Sequence, residues 1–190
     1  MTDITECMAD LSATLWGQRE SMTLLAFRLT AERVMVDNGH RQWLPHLDAE
    51  VRIALHDFRS GELARATAAS AAATGLSLSP AAPLRAIAAK APAPWDVLLS
   101  DHHEALTALS ADVTAAARAA QALLETIVEL SQQRAARLIR SDPDDQLANM
   151  TGSPVSFDDD DAAIEFAAAS AAHETITGIH QRALLDFLAG

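Results

Sequence analysis

What this chain has little of already narrows what it can be. Tyrosine is absent, and aromatic residues make up only 4% of its 190 positions. Glycine and proline number 7 each, so tight turns are few. A many-stranded β fold would need more of all three, and the composition argues against one. Cysteine occurs once, at Cys7, which excludes an internal disulfide. Lysine also occurs once, at Lys90, and the formal net charge is −12. An acidic chain without a basic cluster is poorly suited to the phosphate backbone of nucleic acid or to an anionic membrane surface. No run of about 18 apolar residues occurs, so no transmembrane helix is expected. Residues 1–10 are acidic and broken by polar side chains, unlike a signal peptide. Together these absences predict a soluble, cytoplasmic protein with no nucleic-acid partner and no membrane insertion.

What is present favours helix. The hydrophobic fraction is 49%, but about a fifth of the chain is alanine. Alanine, leucine, arginine and glutamate are strong helix formers. In residues 3–37, Ile4, Met8, Leu11, Leu15, Met22, Leu25, Leu29 and Val36 recur at spacings near 3 and 4. Only Gln18 and Glu32 interrupt the series. A 3.5-residue repeat keeps one seam facing a partner helix. The segment stops at Asp37-Asn38-Gly39, where asparagine or glycine can take a left-handed conformation. A second helix opens at Trp43-Leu44-Pro45, with proline in the first turn, and closes at Thr74-Gly75. Its apolar face is Leu47, Val51, Leu55, Phe58, Ala66, Ala69 and Ala73.

Residues 75–95 carry Pro80, Pro83, Pro92 and Pro94 around a short helical piece at 84–91. Leu76, Leu78, Leu84, Ile87 and Trp95 can pack together there, so a structured corner is expected. Residues 95–140 form another long helix, with Leu99, Leu106, Leu109, Val113, Ala116, Ala120, Leu123, Ile127 and Leu130 as its seam. These segments predict an all-α fold: an elongated antiparallel helical bundle or coiled-coil hairpin over residues 1–140. Residues 141–161 are acidic and proline-bearing and read as a solvated linker. Residues 162–190 form an amphipathic C-terminal helix striped by Ile164, Ala168, Ala172, Ile176, Ile179, Ala183 and Phe187.

Candidate chemical sites do not assemble in the sequence. The run Asp158 to Asp161 lacks the frame of a calcium loop and reads as acid at a helix N-terminus. Histidine occurs at 7 positions, with no His-Glu-x-x-His and no Glu-x-x-His, and these read as ordinary surface histidines. No nucleophile elbow, phosphate loop or dinucleotide fingerprint is present. No catalytic residue, cofactor or metal is therefore expected.

An ordered series of short motifs is similar to the actinobacterial FlgN-like proteins. Leu15-Trp16, Arg19-Glu20, Leu24-Leu25-Ala26-Phe27-Arg28-Leu29 and Glu32-Arg33 resemble that group's first helix. Asn38-Gly39-His40-Arg41-Gln42-Trp43-Leu44-Pro45 resembles its first turn. Glu62-Leu63-Ala64-Arg65-Ala66, Gly75-Leu76 and Pro83-Leu84-Arg85-Ala86-Ile87-Ala88 resemble its corner. Ala91-Pro92-Ala93-Pro94-Trp95, Leu98-Leu99 and Asp101-His102-His103-Glu104-Ala105-Leu106 resemble the start of its last long helix. The likeness spans about residues 11–130. Around Ala119-Ala120-Gln121 an asparagine common in the family is replaced, and the chain after Arg140 departs from the family pattern.

The resemblance implies a flagellar type III export chaperone. Such a protein binds hook–filament junction (hook-associated) proteins through an amphipathic terminal helix, prevents their premature assembly and delivers them to the flagellar export apparatus. It implies a non-enzyme, monomeric or homodimeric. The partner-binding candidates are Leu123, Ile127 and Leu130 with Ile164, Ile176, Ile179, Leu184 and Phe187, which would form or cover a helix-binding groove. The alternative is a coiled-coil adaptor or self-assembling helical bundle without chaperone activity, its seams serving oligomerisation. An enzyme or a metal-binding bundle is the remaining class.

Overall fold

The computed structural model describes residues 3–140, 158–177 and 188. The described residues are helical throughout apart from turns, and they form a bundle of packed helices. The first helix, α1 (Ile4–Asp37), begins at Asp3, whose carboxylate accepts the Thr5 N–H at 3.0 Å. It ends where Gly39 takes φ +82°, which lets His40 N–H reach the Met35 carbonyl at 2.9 Å. A 3₁₀ turn over Arg41–Trp43 leads into α2 (Leu44–Gly75), with Pro45 in its first turn. The left-handed residue after α2 is Ser77, at φ 56°. Gly75 answers a different need, because a Cβ there would lie 2.8 Å from Ile4 Cδ1 of α1.

The short helix α3 (Leu84–Lys90) turns the corner, with Leu84 and Ile87 fully buried. Leu76, Leu78 and Trp95 are partly buried and pack against the core to which Leu84 and Ile87 belong. The long helix α4 (Trp95–Arg140) has 46 residues, about 70 Å at the usual rise. The last described helix is α5 (Asp158–Thr177), with the aspartate run in its first turn. α1 packs on α2 and α4, and α5 packs on α4 and α2. Residues 158–161, expected at the end of the linker, are already helical, and residues 141–157 lie outside the described residues.

The seams repeat every seven residues on three helices. On α1 one buried row is Met8, Leu15, Met22, Leu29 and Val36, and the other is Leu11, Gln18, Leu25 and Glu32. Gln18 and Glu32 therefore belong to the seam instead of interrupting it, each about 1% exposed. On α2 the rows are Leu44, Val51, Phe58, Arg65 and Ala72, and Asp48, Leu55, half-buried Glu62 and Ala69. Arg65 and Asp48 take core positions there, while Ala66 is exposed and Leu47 only half-buried. On α4 one row is Leu99, Leu106, Val113, Ala120 and Ile127.

The second row of α4 differs from the sequence reading by one residue. Ser110, Leu124 and Ser131 are buried, whereas Leu109 and Leu123 are half-buried and Leu130 is 43% exposed. Apolar periodicity favours the leucines. The packing instead places two serines inward, where small side chains admit the neighbouring helix closely. Leu124→Ala should cost about 2–5 kcal/mol of stability by cavity formation. Leu123→Ala should cost less than half as much in the same denaturant titration, and equal losses would contradict this register.

Candidate partner-binding site

The tail helix is docked. Ala169, Ala172 and Ile176 of α5 are buried, and α5 packs on α4, where Leu124, Ile127 and Ser131 are buried. At the edge, His173 Nε2 lies 3.2 Å from Glu125 Oε1. Further down, His103 Nε2 lies 2.9 Å from the Leu188 carbonyl oxygen. Since 173 meets 125 and 188 meets 103, the tail runs antiparallel to α4. Alanine at 169 and 172 lets the α5 backbone approach closely, so the contact is made mostly by small groups.

The candidate residues separate into three sets. Ile127 and Ile176 are brought into the shared core, and Leu123 packs half-buried beside it. Leu130 and Ile164 are not, being 43% and 62% exposed. Ile179, Leu184 and Phe187 lie outside the described residues. The tail stripe also turns: Ala169 is buried where periodicity pointed to Ala168 with Ile164. Leu124 and Ala169 were missed because the apolar stripe is broad enough at both places to offer two neighbouring rows.

His102 corrects the expectation of ordinary surface histidines. It is fully buried between α1 and α4. Its Nε2 lies 3.2 Å from Ser12 Oγ, and its ring meets Trp16 edge-on at 5.1 Å. Arg19 Nη1 lies 3.5 Å from His102 Nδ1 and 3.2 Å from Asp101 Oδ2, and its guanidinium stacks 4.3 Å from the Trp16 ring. The signal was present in the sequence, since 102 falls three residues after Leu99 and four before Leu106.

The cluster has a serine beside a histidine, but its proton arrangement is wrong for nucleophilic catalysis. A guanidinium only donates, so Nδ1 of His102 must accept. Nε2 then carries the hydrogen and donates to Ser12 Oγ, leaving no lone pair to take the serine proton. The His102 pKa is held below the ordinary 6.5, first by burial and then by the Arg19 charge, with Asp101 opposing. The cluster is thus a neutral joint between α1 and α4.

A second buried polar set joins α1 to α2. Gln18 Nε2 donates to Glu62 Oε1 at 3.3 Å, and Arg65 Nε donates to the same oxygen at 3.1 Å. One heptad repeat pair away, Glu32 stands in the layer of Asp48, whose Oδ2 binds Arg52 at 2.8 Å. Burial first, and the Asp48 charge second, raise the Glu32 pKa from 4.5 to about 7.

Among the described residues, exposed apolar side chains and a groove remain along α1. Trp16, Phe27 and Val34 lie on the outward side of α1 at 48%, 61% and 41% exposure. A groove of about 660 Å³ runs between α1 and α2, lined by Cys7, Thr14, Ala64, Thr67 and Ala68 among others. Cys7 itself is buried, which makes it a small apolar core residue more than a reactive thiol.

The His102 joint has a pH signature. Its folded pKa is depressed, so the unfolded chain binds the extra proton and the stability it lends is lost as pH falls below about 6.5. The Tm gap between the native chain and His102→Gln should be widest above about pH 7 and narrow toward about pH 5. A gap constant with pH would contradict the neutral joint.

No family model, no curated protein and no solved structure matches the chain. Its functional reading therefore rests on its own residues.

Proposed function

We propose that this protein is a cytoplasmic chaperone of flagellar type III export, holding hook–filament junction proteins by an amphipathic terminal helix until the export apparatus takes them. The single observation that supports the reading is α5 itself. A helix with a narrow buried stripe of Ala169, Ala172 and Ile176 already sits on the α2–α4 face, so that face has the shape to receive one.

The strength of the contact suits exchange. Its described core is two alanines and one isoleucine on the α5 side. Full burial of an isoleucine is worth about 1.5–3 kcal/mol, and alanine much less. A cargo helix bearing larger apolar residues at the same spacing would compete for the face. Holding cargo this way shields its apolar stripe, and release requires only loss of a shallow contact.

A second reading is favoured by one feature, the exposed Trp16, Phe27 and Val34 on α1. Aromatic side chains with arginines against them, Arg19 on Trp16 and Arg28 at 5.8 Å from Phe27, are the composition of protein-contact hot spots. On that reading the bundle is an adaptor that self-assembles through α1. Sedimentation over a range of concentrations separates the two, because mass rising with concentration beyond a dimer belongs to the adaptor.

The chaperone reading is tested by co-expression pull-down with the organism's two hook–filament junction proteins, using the full chain and a chain ending at Arg140. Capture by both is expected, and stronger capture without the tail. Capture by the full chain alone would move the contact onto the tail. No capture by either, with both partners soluble, would sink the chaperone reading.

A further inference from the structure

The α1–α2 seam holds two carboxylates where the core offers them nothing. Glu32 and Asp48 are 1% and 2% exposed. Neither Oε1 nor Oε2 of Glu32 has a hydrogen-bond partner, and nor does Asp48 Oδ1. A buried ionised carboxylate without donors is among the most costly arrangements a core can contain. Two of them in one layer repel as well.

The surrounding charges do not relieve Glu32. On α1, Arg28 is drawn away to Glu50 of α2 at 3.0 Å. On α2, Arg52 binds Asp48 Oδ2 at 2.8 Å. Among the described residues no basic group of α1, α2, the 3₁₀ turn or α4 bonds to Glu32, and Asp48 is the charge whose field reaches it. A divalent cation would need about six oxygens, and these side chains offer only three free ones. One proton removes both problems. A protonated Glu32 is neutral, so neither the buried charge nor the repulsion remains.

We infer that Glu32 keeps its proton inside the α1–α2 seam, and that this proton latches the turn-proximal end of the α1–α2 hairpin. With the proton in place Glu32 is a neutral group in the seam. Without it, two buried anions face each other and that end of the hairpin loosens. The raised Glu32 pKa supports this reading and sets the direction. The folded state takes up a proton that the unfolded chain lacks, so the stabilisation is complete below about pH 4.5 and is lost as pH rises through about 7.

The test compares thermal unfolding of the native chain, Glu32→Gln and Asp48→Asn from about pH 5 to about pH 9. The native Tm should fall by several degrees more over that window than the Tm of Glu32→Gln, which keeps a neutral donor at the same place. Asp48→Asn, which removes the repulsion from the other side, should flatten the profile likewise and covers the case in which Glu32→Gln does not fold. Amide exchange in residues 28–52 should quicken about tenfold or more between the two pH values in the native chain and far less in Glu32→Gln. Infrared difference spectra should show a protonated carboxyl band at low pH that Glu32→Gln lacks. Parallel Tm profiles in all three proteins, or no such band, would overturn the inference. A chelator-reversible rise in native Tm with magnesium or calcium, absent in Glu32→Gln, would overturn it in favour of a metal.

Discussion

The rest of the molecule depends on how α1 is matched to α2. Gln18 meets Glu62, and stepping by heptads in opposite directions from that pair sets Leu25 level with Leu55, Glu32 with Asp48 and Leu11 with Ala69. Polar layers alternate with apolar ones. Sliding one helix by a heptad would set Glu32 against Leu55 and Gln18 against Ala69, leaving buried polar groups with no counterpart. A polar residue at a seam position costs stability but fixes alignment. Alanine-rich helices need such a device, because small uniform side chains interlock in many alignments with similar energy. Once that hairpin is set, α4 has a defined groove to lie in and α5 a defined face to cover.

Much of this architecture is legible in the residues. Asp37-Asn38-Gly39, Pro45 and the proline-bracketed corner mark the helix ends because their backbone chemistry is local. The seven-residue repeat is legible for the same reason: Leu99, Leu106, Val113, Ala120 and Ile127 need only a ruler. What escapes is whatever depends on a second helix. Gln18 and Glu32 look like breaks in an apolar series until Glu62 and Asp48 stand opposite them. His102 looks like one of several surface histidines until Trp16 and Arg19 enclose it. Leu123 and Leu124 are equally apolar, and only packing against a second helix selects between them.

The tail shows the same rule on the site itself. Periodicity made it amphipathic but could not say whether it was docked. Its docking follows from alanines at 169 and 172, which are weak as hydrophobic signals and effective as permission for close approach. Ile164, chosen for its size, stays in solvent. In a chain with so few bulky side chains, contact geometry is decided as much by where side chains are small as by where they are large.

The unequal lengths of the helices have a mechanical consequence. α4 has 46 residues against 34 in α1, and it starts level with the early turns of α1, where His102 meets Ser12. Its last turns thus overrun the α1–α2 turn and continue beside α5. That overhang is a two-helix lever on a thicker base. Two helices bury less per residue than three or four, so the lever occupies the low rungs of the ladder of opening energies. Opening there would expose the α4 face as a local event and not as a partial denaturation.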